Sequence, residues 1–338
     1  MTRTVFKGIN GSNPLGFMAS VGLLRLLHVH DNLARLGFTE DGAFHAWIEC
    51  NRVNDIPDIV AKDAQDAAGP QPWRLEYEKQ EKRGVKIVAD LKAPPEKFSE
   101  YLDSAIDEWL AGQPEKADYA AGYGTDVARD RKGNTTKPTA FHFTAANQQF
   151  LGTVEETRGN ITKEWVEKSL DDGDDKMEPG MNLRWDPDAE RSRALMGVNP
   201  NDDGTTVNAP LEWLAFRGLP AFPSVPVGAR IVTCGVTGRR QDDIRFHWPL
   251  WSCAASYSTV RSLLVLAAGW IESDEQTRRT IEMHSGNGRR QRLLARLRRS
   301  LEMSVEARRR RGVFAICTSE IRRTAQGFGS FGPANVQG

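Results

Sequence analysis

Four arginines, Arg289, Arg292, Arg296 and Arg299, recur at intervals of three or four residues, while Leu293, Leu294, Leu297 and Leu301 are interleaved with them and follow them. On a helix that spacing makes one basic stripe and one apolar stripe on opposite sides. Planar guanidinium groups in a row suit bidentate contacts to phosphates, so this face is expected to hold a nucleic-acid backbone while the leucines pack. Arg290 and Arg298 fall outside the stripe; Arg308, Arg309 and Arg310 extend the basic run beyond it. The wider context fits. Residues 278–323 contain fourteen Arg and four acidic residues, a local charge of +10 in a chain whose formal net charge is zero. Such asymmetry points to a polyanionic partner, because a basic surface displaces the counterions condensed on phosphates.

Three other constellations invite chemistry. Asp118, Asp126, Asp130 and Lys132 contain the acid-x-lysine form of a metal-dependent nuclease, which needs clustered carboxylates. Asp130, however, sits in a stretch rich in Gly, Asn and Thr, which reads as a loop, and Arg129, Arg131 and Lys132 can contact nucleic acid there without cleaving it. The six His include no HExxH and no paired His/Cys spacing, and the series Gly8, Gly11, Gly16 lacks the Gly-Lys-Ser/Thr ending of a phosphate-cradling loop. No metal and no cofactor are therefore expected. Trp73, Trp185, Trp213, Trp248 and Trp251 can stack on bases, although burial is the commoner fate of such residues.

The elements that must position these groups can be read from pattern and punctuation. Asn13 before Pro14 signals a helix start, and the helix that follows carries Leu15, Met18, Val21, Leu24 and Leu27 at helical spacing. Gly16, Ala19, Ser20 and Gly22 leave another side of it small, which predicts a very close neighbour. Strands are expected at 4–9, 44–50, 73–77 and 85–91, and helices at 95–110 and 145–170. Residues 230–235 and 244–251 read as a hairpin with Arg239 and Arg240 at its tip. Helices at 257–271 and from 275 to 310, with a break at 285–288, give the C-terminal part its character, and 313–317 returns as a strand.

We read the chain as α+β: an N-terminal α+β domain (1–175), a Pro/Gly-rich connection containing the hairpin (176–255), an Arg-rich helical region (256–323) and a flexible tail (324–338). Four scattered Cys without a CxxC pair suggest buried thiols in a reducing cytoplasm, and no leader or bilayer-length apolar run is found.

Several segments also resemble a known family. FKGINGSNPLGFMASVGLLR at 6–25, FHFTAANQQFL at 141–151, LRWDP at 183–187, AFRGLPAFP at 215–223, HWPLW at 247–251 and STVRSLL at 258–264 are similar, in that order, to segments of subunits from type I-G (formerly I-U) CRISPR systems. That family occurs alone or attached to the helicase-nuclease of the system, as a helicase-nuclease extension. The resemblance implies a non-catalytic, large-subunit-like component of a guide-RNA surveillance complex, with guide RNA, target double-stranded DNA, the other effector subunits and the helicase-nuclease as partners. In such machines guide pairing reads sequence while protein holds backbone and a short flanking motif. By position, Arg289, Arg292, Arg296 and Arg299 would hold backbone, Arg239 and Arg240 would approach a groove, and Asn147, Gln148 and Gln149 would make polar contacts to bases or ribose. Two other readings stay open: a nuclease using the carboxylates near Asp130, and a structural adaptor whose basic region docks an acidic protein.

Overall fold

A computed structural model describes residues 1–66, 71–81, 84–144, 148–171, 178–188, 206–238, 243–284, 291–323 and 329–337. It is an α+β protein with a helical region towards its C-terminus. Strand β1 (Thr2–Asn10) leads through the turn at 11–13 into α1 (Pro14–His30). Asn13 makes that start: its side-chain oxygen accepts from the amides of Leu15 and Gly16, two donors the helix cannot satisfy internally. Strands β2 (Arg35–Phe38) and β3 (His45–Cys50) complete an antiparallel sheet in the order β1-β3-β2.

Residues 14–27 of α1 are buried on every side rather than along one stripe. The close neighbour predicted by its small residues is real. Past α2 (Ile56–Gln65), the hairpin β4 (Glu76–Glu81) and β5 (Gly84–Ala89), α3 (Pro95–Leu110) and α4 (Glu115–Tyr123), the chain forms a second hairpin, β6 (Gly124–Arg129) with β7 (Thr136–Pro138). The single helix expected over 145–170 is two, α5 (Phe150–Gly159) and α6 (Lys163–Asp171). After the short pair β8 (Glu178–Pro179) and β9 (Thr206–Val207) comes α7 (Ala209–Gly218), which crosses α1 almost backbone to backbone. A Cβ on Gly22 would lie 1.7 Å from the carbonyl oxygen of Leu214, and one on Gly218 would lie 2.5 Å from that of Met18. Only glycine permits that approach.

Beyond α7, β10 (Ser224–Val227) pairs with β11 (Arg230–Thr233), turning through Gly228 at φ +61°. The expected hairpin of 230–235 with 244–251 is thus corrected. Residues 230–233 turn back onto β10, and only β12 (Val236–Thr237) meets β13 (Arg245–Trp251). Strand β13 is central in a second sheet, β12-β13-β14-β15, with β14 at Val313–Arg323 and β15 at Gly329–Gln337. The segment expected as a flexible tail is therefore, from 329 to 337, an edge strand held by β14, and its Phe331 is 1% exposed. Its Gly and Pro content argues against a strand locally, but ladder pairing and one deeply buried ring decide.

The expected division near 175–255 has no counterpart in packing. One continuous core runs from Phe6 to Phe331, and α7 and β13, which fall in the expected connection, fill its middle. Phe17 of α1 packs against Phe38, Phe246, Trp248 and Trp251, with centroids 5.7 to 6.4 Å apart. The Trp248 indole donates to the carbonyl of Gly11 at 2.8 Å and that of Trp251 to Leu36 at 2.7 Å, so the N-terminal turn and sheet are tied to the C-terminal sheet. Fully burying side chains of this size is worth about 1.5–3 kcal/mol each, with aromatic pairing adding to it. Phe17, Phe141, Trp185, Phe216, Trp248 and Val260, one from each segment that carries the family resemblance, all belong to this core. The five Trp considered as stacking platforms are core residues, none more than 2% exposed. Among the thiols, Cys50 and Cys317 are buried, but Cys234 is half-buried and Cys253 exposed.

Candidate nucleic-acid interface

The C-terminal helices form an arm. Helix α8 (Tyr257–His284) anchors itself through Val260, Leu264, Ala267 and Ile271, all buried and spaced at three or four residues. Beyond Asp274 none of its described side chains is buried. Helix α9 (Gln291–Arg309) returns alongside it, about 28 Å long at the usual rise, and packs on α8 and β14. A buried ion pair braces the base of the arm. Arg308 Nη1 lies 2.6 Å from Asp274 Oδ2, with side chains 11% and 8% exposed. Arg245 and Glu275 add an outer pair at 3.4 Å.

The basic face of α9 points outward. Arg296, Arg298, Arg299 and Arg309 are exposed and, among the described residues, have no carboxylate partner, as is also true of Arg278 on α8 and Arg311 beyond α9. Arg310 is exposed with Glu306 at 2.9 Å, a one-turn surface pair of the kind that contributes little. The apolar side differs from expectation. Leu294, Leu297 and Leu301 are only half-buried and Leu293 is 41% exposed, because α8, with some help from β14, covers only part of a stripe that a globular body would bury.

The remaining sequence candidates are distributed as follows. Arg289, Arg239, Arg240 and Asn147 lie outside the described residues; Arg292 lies on α9, but its side chain lies outside the described portion. Arg308 is spent on Asp274 and is a brace rather than a phosphate contact. Gln148 is also committed internally, donating to Thr153 Oγ1 at 3.1 Å and to the Asn182 carbonyl at 2.9 Å, and Gln149 accepts from the Ala89 amide at 2.8 Å. The trio read as base or ribose contacts therefore contributes, at Gln148 and Gln149, to joining α5 to its surroundings.

The loop carboxylates do not converge. Asp118 faces Arg25 at 3.7 Å, Asp126 accepts from Ser99 at 3.0 Å, and Asp130 closes its own hairpin by accepting from the amides of Asn134 and Thr135. Those backbone donors hold the Asp130 carboxyl below its ordinary value. Among the described residues no group of three or more His, Cys, Asp or Glu is placed to hold a metal ion.

Sequence reasoning missed a second basic site. Lys92 after β5, Lys137 on β7, Arg230 on β11 and Arg323 at the end of β14 line one cavity of about 370 Å³, whose walls include Ile231 and Ile244. Thr233 fixes this corner: it is buried, its Oγ1 accepts from the Ala140 amide at 2.9 Å, and it bonds Ser224 at 2.9 Å. The four cations are far apart in sequence and form no periodic pattern, so no local signal marks them.

A third charged cluster is internal. Arg217 contacts Glu115 at 2.9 Å, Asp63 at 3.1 Å and the Tyr119 hydroxyl at 2.8 Å, while Arg25 approaches Glu115 at 3.6 Å and Asp118 at 3.7 Å. Burial pulls the Arg217 guanidinium down, but Tyr119, Asp63 and Glu115 outweigh it and hold the proton more firmly than usual. These contacts join α1, α2, α4 and α7 and balance charge within the fold.

No protein-family model matches the chain, and no curated protein matches it either. Among the described residues no helix is long and apolar enough to cross a membrane.

Proposed function

We propose that this chain is a non-catalytic, nucleic-acid-binding subunit of a guide-RNA surveillance complex of the type I-G CRISPR kind, with the arm of α8 and α9 laid along phosphate backbone. The observation that carries the binding part is that Arg296 and Arg299, on one stripe of α9, and Arg298 and Arg309, off that stripe, are exposed and have no carboxylate partner among the described residues. The subunit assignment rests on the resemblance of the segments quoted above. That those segments meet in one hydrophobic core agrees with a shared fold rather than a shared catalytic site. Target DNA or guide RNA would be the polymer bound, and the helicase-nuclease and other effector subunits the protein partners.

The test is fluorescence anisotropy of labelled duplex DNA and single-stranded RNA, titrated across salt with the native chain and with Arg296→Ala/Arg299→Ala. Between residues 278 and 311, six described arginines are exposed and lack a carboxylate partner among the described residues: 278, 296, 298, 299, 309 and 311. Engaging all six gives a slope of log affinity against log salt of about −5.4, hence about an 1,800-fold loss between 50 and 200 mM. Without two of them the slope is about −3.6 and the loss about 150-fold. An identical slope in the variant refutes the placement on α9.

The half-covered leucine face of α9 favours a second reading, an adaptor that docks a protein partner through Leu293, Leu294 and Leu297. Absence of binding to either polymer, together with capture of the helicase-nuclease, would put that reading first.

A further inference from the structure

The cavity lined by Lys92, Lys137, Arg230 and Arg323 carries positive charge that no carboxylate among the described residues of its lining offsets. None of the four is ion-paired among the described residues, and no described carboxylate lines the cavity. Lys137 and Arg323 are half-buried. Lys137 Nζ donates to the Ala229 carbonyl at 2.7 Å and Arg323 Nη2 to the Ala140 carbonyl at 3.2 Å. Those carbonyls orient the two heads without neutralising them, and an ammonium has three donors and a guanidinium five, so most remain to engage a ligand. Burial pulls the Arg323 guanidinium below its ordinary value; burial also lowers the pKa of His142, and the charges of Lys92 and Arg323 add to that lowering. Like charges held together beside low-dielectric walls focus a positive potential, which an anion relieves.

Size and walls narrow the anion. A volume of about 370 Å³ lies at the small end of ligand pockets, enough for one nucleotide but not for a duplex. Ile231 and Ile244 offer an apolar surface that inorganic phosphate cannot use, whereas a base or sugar can. We propose that this cavity binds a single nucleotide through its phosphate, with Lys92, Lys137, Arg230 and Arg323 around the phosphate and Ile231 and Ile244 against base or sugar. The nucleotide is either free or the phosphorylated end of a single strand. This site is separate from the arm and stands without it.

The experiment uses the full chain, labelled four-nucleotide DNA with a 5′-phosphate or a 5′-hydroxyl, and a nucleoside 5′-monophosphate and inorganic phosphate as competitors. We expect the phosphorylated strand to bind about tenfold more tightly than the hydroxyl form, as charge-assisted hydrogen bonds of this kind imply. Lys137→Met and the exposed Arg230→Glu should each abolish that preference with the melting temperature unchanged, and Arg296→Ala/Arg299→Ala should leave it intact. Competition by the mononucleotide identifies free nucleotide as sufficient; a preference retained without such competition identifies the strand end. The proposal is overturned if the 5′-phosphate makes no difference, if both cavity variants keep the preference, or if inorganic phosphate competes as well as the mononucleotide.

Discussion

Arg308→Met should loosen the arm while leaving the body folded. The native pair is short, at 2.6 Å, and both side chains are nearly excluded from water. Methionine keeps much of the length of arginine but leaves the Asp274 carboxylate buried without a cation, and removing one member of a buried pair costs about 3–5 kcal/mol. The second hydrogen bond of Arg308, to Ser304 at 3.4 Å, is too long to offset much of that. Replacing both partners, Asp274→Leu with Arg308→Met, removes the stranded charge and should recover most of the loss. Hydrogen exchange followed by mass spectrometry on the full chain reads the effect segment by segment, which separates local opening of α9 from global unfolding. Amides of 291–309 should exchange about 100-fold faster or more in Arg308→Met, and within about tenfold of native in the double variant. Exchange within about threefold of native in Arg308→Met, or a double variant as fast as the single, would refute the idea that this pair braces the arm.

Two further predictions test the body. Gly22→Ala places a methyl group 1.7 Å from the Leu214 carbonyl oxygen and should lower stability by about 3 kcal/mol in urea denaturation, whereas Gly269→Ala, with nothing within 4 Å on α8, should raise it by up to about 1 kcal/mol. Stability should also peak at mildly acidic pH. Burial, reinforced by Asp186 and only partly offset by the Leu183 amide, raises the Glu212 carboxyl from 4.5 to about 8, so the folded chain keeps a proton that the unfolded chain releases. That stability is complete below 4.5 and is lost as pH rises to about 8, at about 1.4 kcal/mol per unit. Burial, helped by Arg245, lowers the His247 imidazole from 6.5 to about 4, so stability is lost in the other direction as pH falls through that window. The two slopes oppose one another between 4.5 and 6.5. Thermal melts should therefore fall on both sides, and Glu212→Gln should flatten the alkaline limb; a melting temperature that climbs steadily from pH 6.5 to 8.5 would contradict this.

The legible parts of this fold are those with local causes. Asn13 and Pro14 mark the start of α1 because capping and a fixed φ act within one turn. Gly16, Ala19, Ser20 and Gly22 announce a close neighbour because only small residues allow one, but not which: nothing local to Gly218 declares that it faces Gly22. The break at 160–162 between α5 and α6 is hidden by helical periodicity that continues on both sides, and β11 pairs back onto β10 through the turn at Gly228 where a longer connection to 244–251 was expected. At the candidate interface the arginine stripe was visible by its period. That Arg308 would turn inward to Asp274, thirty-four residues away, was not.

The sequence by itself determined the mixed α+β composition, the helices with clear start signals and the concentration of arginine between 278 and 323, because propensity, capping and charge are properties of residues and near neighbours. Tertiary structure alone decided that Phe6 and Phe331 share one core, that residues 329–337 form an edge strand, and that Lys92, Lys137, Arg230 and Arg323 face one cavity. Each depends on which distant surfaces bury one another, and burial is settled by the chain as a whole.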